Sequence, residues 1–513
     1  MSERRVPDWL PRAGVAVALC GLVVWSFAQR WTVLAGSPFP LGVDGYFYPV
    51  QLRSLLETGH LQYAASPLPF WVLAPFAAAT DPIVGTKLGA ACLGALLALP
   101  AYAVGARLGR SQGAGLVTAA LATCSAGSAY LTIEFVKNSI GITVAMTALW
   151  LVLRALEVPS RTRIAGALGG IVAAMLAHKM AAGLVIAIAI PASLAELAGR
   201  SWLRGRRLLY ALGCAGLLAM IVIVLGLVAP RRFLSPDDAH LLGELWTTAP
   251  SWSLPVLDSG RGGLRLGDEP LAALVLALLA AIALVVERQL PRATRSRIQP
   301  ASRGVQVTSW AVVGLGLVIG LPWLAVDDPQ GLGMRLRIAS FVPMALCAAS
   351  VLRVVLRAVA PSVAGAICVM IALAATVHVP GSRTEGLVPT HPALVTAVQA
   401  LADQIPNGDT VVVPERHIAF MVAWYTRAKI SLRPEPVPIP ERWRLVPLAW
   451  IGMGSPLDQA LLEVRANPQL PRPIGLHPRH PNGLVLVPEV TWQYVLTRLP
   501  ADARAYFAAW PTI

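Results

Sequence analysis

Apolar runs of near-bilayer length follow one another along most of the chain, separated by short polar segments in which arginine is concentrated. A spanning helix needs about 20 mostly apolar residues, so each run is a membrane-helix candidate. The pattern predicts about eleven: Ala13 to Ala28, then residues 83–104, 114–132, 139–153, 164–177, 180–197, 209–229, 270–286, 307–325, 339–355 and 362–378. The arginines mark every second loop: Arg107 and Arg110, Arg154 to Arg163, Arg200 to Arg207, Arg288 to Arg303, then Arg353 and Arg357. Loops rich in Lys and Arg stay in the cytoplasm, so these loops, and the N-terminus with Arg4, Arg5 and Arg12, are read as cytoplasmic.

That alternation resolves two segments. Residues 164–197 are apolar almost throughout yet have basic flanks on both sides, so they are read as crossing twice, with His178 and Lys179 at the outer turn. Pro67 to Ala79 is short and interrupted by Pro67, Pro69 and Pro75, so it is read as an interfacial helix on the outer face. Beyond about His378 the chain becomes rich in proline and charge. The β-type runs Thr410 to Val413 and Leu484 to Val487 and the helical pattern Ala393 to Gln404 predict a small α/β domain, placed by parity outside the cytoplasm. The expected fold is an all-α polytopic membrane protein over residues 1–378, with a first outer loop at 30–82 and a C-terminal extracytoplasmic α/β domain at 379–513.

Composition agrees. Only 13% of residues are charged and 56% are hydrophobic, against about 25% charged in soluble domains. The net charge of +15 sits in loops between apolar runs, which argues against nucleic acid and for a membrane partner. The six cysteines lie within apolar runs and form no C-x-x-C pair, so they read as small buried hydrophobes. Phosphate-loop and dinucleotide motifs are absent.

The candidate chemistry lies in the outer loops. Asp44 follows Gly42 and precedes Gly45, which permits a tight turn that either presents the carboxylate or closes on itself as an Asx-turn. Tyr46, Phe47 and Tyr48 beside it suit a sugar ring or an interfacial anchor. Glu134 and Lys137, three apart, either form an ion pair on one helix face or offer a second acid and a phosphate-binding cation. His178 and Lys179 lie between very apolar stretches, where ionisable groups face a polar cavity or snorkel to headgroups. Asp327, Asp328, Arg335 and Arg337 occupy a late outer loop and the helix after it. An arginine fork there suits a phosphate, or anionic lipid headgroups. In the C-terminal domain, Trp424 to Arg427 either bind an acceptor or, as is commoner, form ordinary surface and core, and two histidines, His477 and His480, are weak evidence for a metal site.

The first loop carries a resemblance. A G-x-D, then aromatics, an amphipathic helix ending Leu56-Glu57-Thr58-Gly59 and a proline-rich helix resemble the GT-C glycosyltransferases, among them protein O-mannosyltransferases, aminoarabinose transferases and oligosaccharyltransferases. The resemblance implies a membrane enzyme transferring a sugar from a polyprenyl-phosphate-linked donor to a lipid, glycan or protein acceptor, outside the cytoplasm of a bacterial inner membrane. It implies Asp44 as general base, or as the group that orients the acceptor. Glu134, Lys137, His178, Lys179 and Tyr46 become substrate-binding candidates, with Arg335 or Arg337 holding the carrier's phosphate. A divalent Mg or Mn ion is possible, with Asp44 and Glu134 as candidate ligands. This sequence has Gly45 where the mannosyltransferases carry an acid after the first, and it lacks W-W-D-Y-G, which argues against transfer to asparagine sequons. The competing expectations are a transporter or flippase of lipid-linked glycans and a non-catalytic assembly protein.

Overall fold

The computed structural model describes residues 9–42, 44–198, 216, 219–229, 233, 241–250, 268–289, 303–325, 331–377, 392–402, 405, 410–413, 416–431, 442–447, 455–467, 469–471, 473–475 and 484–509. The chain divides into two compact units. One comprises Met1–Gly36, Tyr63–Phe76 and Lys87–Gly386; the other comprises Ser37–Gln62, Ala77–Thr86 and Leu387–Ile513.

The first unit is helical: α1 (Trp9–Ala35), α4 (Pro82–Ala95) and α5 (Ala98–Gly109), then α6 (Gln112–Thr123), α7 (Ala126–Glu134), α8 (Val136–Glu157), α9 (Arg161–Ala177) and α10 (Lys179–Ala198). It continues with α11 (Asp268–Gln289), α12 (Arg303–Gly320), α13 (Leu332–Ile338), α14 (Phe341–Ala358) and α15 (Pro361–Val377). Between α1 and α4 come α2 (Phe47–Thr58) and α3 (Leu68–Ala79), and Pro75 lies inside α3. Among the described residues, seven helices are long and apolar enough to cross a membrane, and eight if the bent pair α6–α7 is one span. The chain is a multi-pass membrane protein.

This count is below the eleven expected. Residues 219–228 and 363–376 are apolar but short, α9 has 17 residues, and the first part of the expected span at 209–229 lies largely outside the described residues. Two boundaries also differ. α1 continues through Arg30 to Ala35, because Arg30 finds partners inside the bundle. The run 114–132 is broken at Cys124 and Ser125, where α6 and α7 meet at 46°.

The chain turns back at 178, as expected. A methyl group on Gly141 of α8 would meet the Cβ atoms of His178 and Ala181 at 3.1 and 3.2 Å. One on Gly170 of α9 would meet Ala148, and one on Gly304 would meet both Leu156 and Glu196. α8 therefore runs antiparallel to α9 and parallel to α10, and the chain folds back at His178. The three helices share a core of small residues that includes Ala148, Ala174 and Ala181, the composition that lets membrane helices approach closely.

The second unit contains α2, α16 (Pro392–Ala402), α17 (Arg416–Thr426), α18 (Pro456–Ala466), α19 (Glu489–Arg498), α20 (Ala501–Ala509) and one sheet. The strands are β1 (Thr410–Val412), β2 (Lys429–Ser431), β3 (Arg442–Pro447), β4 (Ile474–Gly475) and β5 (Leu484–Pro488), in the order β2-β1-β3-β5-β4. β1 is parallel to β2 and β3, whereas β5 is antiparallel to β3 and β4. Val411, Leu445, Leu486 and Trp492 are fully buried. Arg444 pairs in bidentate fashion with Glu489 at 2.9 and 3.2 Å, both side chains buried.

Candidate functional site

In the second unit, Asp44 lies in the turn that leads into α2 and is 5% exposed. Gly42 has φ +85°, which an L side chain adopts only with strain. Gly45 donates its N–H to the Gly42 carbonyl, and a Cβ on Gly45 would lie 2.5 Å from the Leu41 carbonyl oxygen. The Asp44 carbonyl accepts from Phe47 N–H at 3.0 Å, which starts the helix. Both glycines are thus needed to hold the acid in this turn.

α17 fixes α2 and, with it, the turn. Tyr46 is fully buried, with its hydroxyl 3.1 Å from that of Tyr425. Burial, and then the Tyr425 hydrogen bond, push the Tyr46 phenol well above its ordinary pKa, so it stays protonated. Phe47 packs edge-on against Phe420 with ring centroids 4.9 Å apart. Arg53 donates to the Trp424 and Ala423 carbonyls at 2.7 and 2.9 Å and lies over the Trp424 ring. Trp424 and Tyr425 are therefore part of the support of the Asp44 loop.

In the first unit, three chain breaks bring basic groups together. α7 ends at Glu134, which is buried, and Lys137 lies in the first turn of α8, two residues beyond Phe135. The guanidinium of Arg335, on the short α13, lies 5.0 Å from the centre of the Phe135 ring, a cation–π contact. His178 is the single extended residue between α9 and α10, with Lys179 next to it. Its Nδ1 accepts from the Met180 backbone N–H at 3.1 Å, which leaves Nε2 as the protonated nitrogen. Desolvation, then the Lys137, Arg335 and Lys179 cations, hold the imidazole well below its ordinary pKa. His178 is a neutral hydrogen-bond donor among three cations.

Arg337 differs from Arg335. It is fully buried, and Nε and both terminal nitrogens have no hydrogen-bond partner among the described residues. Residues two apart on a helix point about 200° apart, and Arg335 is the one that acts on His178. Asp327, Asp328, His477 and His480 lie outside the described residues.

No family model matches the sequence, and no curated protein matches it. Solved structures do. The aminoarabinose transferase ArnT from Cupriavidus metallidurans, crystallised with undecaprenyl phosphate, superposes with a TM-score of 0.53 at 13% identity, covering 92% of this chain and 98% of that one. Its apo form gives 0.51 at 14%, covering 93% and 98%. The oligosaccharyltransferase from Archaeoglobus fulgidus, in complex with Zn and sulfate, gives 0.49 at 12%, covering 86% of this chain and 69% of that one. The chain has the GT-C fold. The fold expected from the first-loop resemblance is the one observed.

Sequence reasoning missed what keeps this GT-C bundle's broken helix satisfied. Arg30 of α1, 3% exposed, donates to the Thr123 carbonyl at 2.9 Å, Ser128 Oγ at 2.8 Å and Thr132 Oγ1 at 3.1 Å, and to Ser26 Oγ and its carbonyl. Glu269 accepts from Ala126 and Gly127 N–H at 2.6 and 3.0 Å, capping α7. Backbone polar groups freed by a break in a membrane helix need partners. Here one cation and one carboxylate supply them. Thr132 Oγ1 also lies 2.9 Å from Ser139 Oγ of α8, so the network continues across the Glu134–Lys137 break. Two sequence signals pointed to it: Arg30 directly after the expected span, and Glu269 at the edge of another.

Proposed function

We propose that the protein is a glycosyltransferase that moves a sugar from a polyprenyl-phosphate-linked donor to an acceptor on the extracytoplasmic face of a bacterial inner membrane, with its N-terminus in the cytoplasm. The observation that carries this reading is the convergence of Arg335, over Phe135, and Lys137, in the first turn of α8, on the turn at His178 and Lys179 that Gly141 of α8 packs against. It suits a phosphate bearing more than one negative charge. The fold shared with ArnT, crystallised with undecaprenyl phosphate, supports the same donor class.

The acceptor's oxygen or nitrogen attacks the anomeric carbon as the bond from that carbon to the phosphate oxygen breaks. The electron pair leaves with the polyprenyl phosphate, the acceptor's proton passes to the Asp44 carboxylate, and the configuration inverts. General-base catalysis of this kind contributes about 100- to 10,000-fold. Lys137 and Arg335 stabilise the departing phosphate, as charges already in position do in a dry site, and His178 donates through Nε2–H. Tyr46 acts through packing, holding the Asp44 turn against α17. Among the described residues no group of three His, Cys, Asp or Glu side chains assembles, and the steps above use no metal ion.

The test is transfer of labelled sugar from polyprenyl-phosphate donors in right-side-out and inverted vesicles, comparing wild type with Asp44→Asn. The expected result is transfer by the wild type only, with donor binding intact in the variant. Equal transfer by both would remove Asp44 as base. Donor movement across the bilayer without transfer would make the protein a flippase.

A further inference from the structure

The far end of the same helices carries a second basic cluster. α8 has Lys137 in its first turn and Glu157 as its last of 22 residues, which separates its ends by about 30 Å, the thickness of a bilayer core. At the Glu157 end, Arg107 pairs with Glu157 at 3.4 Å, and Arg107 and Arg154 both lie over the Trp150 ring.

Beside them, α5, α11 and α14 bring three arginines to one carboxylate. Arg353, 2% exposed, donates to Glu287 at 2.5 Å and to the Leu108 carbonyl at 3.2 Å, and its Nε has no partner among the described residues. Arg357 takes the other Glu287 oxygen at 3.0 Å. Arg110, half-buried at the end of α5, is held with φ 52°, a left-handed conformation uncommon outside glycine. Among the described residues it makes no hydrogen bond or ion pair, and the Arg353 and Arg357 charges act against its own. Glu287 is shared by Arg353 and Arg357, and Glu157, the other acid acting on Arg110, is already paired with Arg107. A half-buried guanidinium facing two others gains from an added anion.

We propose that Arg110, Arg353 and Arg357 form a binding site for the phosphate of an anionic phospholipid at the membrane interface opposite the His178 cluster. The phosphate oxygens accept from Arg110 and Arg357, Arg353 supplies buried positive charge, and Trp150 lies at headgroup level, where indole rings anchor. The same chemistry would take a soluble phosphate compound, and the experiment separates the two sources. The inference rests on the membrane reading and is independent of glycosyl transfer.

The full chain, purified in detergent and stripped of lipid, is titrated with phosphatidylglycerol, phosphatidylcholine or inorganic phosphate, and binding is read by native mass spectrometry and thermal shift. Wild type should bind phosphatidylglycerol in preference to phosphatidylcholine. Arg110→Gln and Arg357→Gln should each weaken that binding about fivefold, the worth of one cation near an anionic headgroup. Arg161→Gln, the same charge change at an exposed arginine, should leave it unchanged. Arg357→Gln leaves the Arg353–Glu287 pair in place, so it serves if Arg110→Gln does not fold. Equal losses in all three variants, or none, would overturn the site. Binding of inorganic phosphate that depends on Arg110, without lipid selectivity, would overturn the lipid as its source.

Discussion

Replacing Arg30 with Met tests whether the membrane tolerates the α6–α7 break only because Arg30 fills it. Methionine keeps most of the length and removes every donor. The lost partners are Ser26, Thr123, Ser128 and Thr132. At the mean of about 0.6 kcal/mol per hydrogen bond measured between membrane helices, the three interhelical bonds, to Thr123, Ser128 and Thr132, amount to about 1.8 kcal/mol. At the upper figure of about 1.7 each, the loss is about 5 kcal/mol. Removing a buried cation recovers part of its desolvation cost, but the Thr123 carbonyl is then left unpaired in the bundle, costing about 1–3 kcal/mol. These opposing terms roughly cancel, so the expected net destabilisation is about 2–5 kcal/mol. The assay is reversible unfolding in mixed micelles, with Arg30→Lys alongside. Lysine keeps the charge but not the planar fork, so it should fall between wild type and Arg30→Met. A Met variant as stable as wild type would refute the reasoning, because the break would then be held by α6 and α7 themselves. A Lys variant equal to wild type would show that charge alone suffices.

Three other outcomes are expected. Gly45→Ala would force a Cβ to 2.5 Å from the Leu41 carbonyl, so it should destabilise the second unit by about 1–3 kcal/mol, seen as a lower unfolding midpoint, while Ala79→Gly at an exposed helix end should not. Arg337→Met removes a fully buried guanidinium with no partner among the described residues, so it should raise the stability of the substrate-free protein by about 1–3 kcal/mol; a fall in melting temperature would show that the charge is compensated. Burial and the neighbouring cations hold His178 well below the ordinary imidazole value of about 6.5, so the unfolded chain takes up its proton first and stability falls as pH drops below about 6.5; His178→Gln should flatten that part of the stability–pH curve, and an unchanged slope would assign the effect to other groups.

Much of the fold was legible because a membrane imposes a simple code. Apolar length and arginine placement identified most helices and forced the turn at His178, which the sequence alone does not display. Asp44 stood out because two glycines flank it within four residues, and the structure shows why both are needed: one for its φ, the other for lack of room. Neither periodicity nor charge could show that Trp424 and Tyr425 hold a loop some 370 residues earlier, since no local pattern encodes a contact across that separation. The α6–α7 break was hidden for a related reason. Its residues are small and apolar enough to read as a continuous span, and what makes the break possible is an arginine on another helix.

The same reasoning explains where the charged candidates lie. A continuous membrane helix satisfies its own backbone and has no use for a buried charge. Each break frees N–H or C=O groups and creates a polar environment that an ionisable side chain can share. Arg30 and Glu269 occupy the break at 124–125, Glu134 and Lys137 flank the one at Phe135, and His178 is itself the third. The basic cluster therefore follows from the breaks, and the small residues of α8, α9 and α10 let the helices that carry them pack closely. If so, restoring helix continuity at Phe135 should scatter Lys137 and Arg335 even with every charge retained. Substituting Phe135→Ala removes the ring beneath Arg335 and favours a continuous α7–α8 helix. It should weaken donor binding about as much as Lys137→Met does, although it changes no charge. Wild-type donor affinity in Phe135→Ala would mean that the cluster assembles without the break.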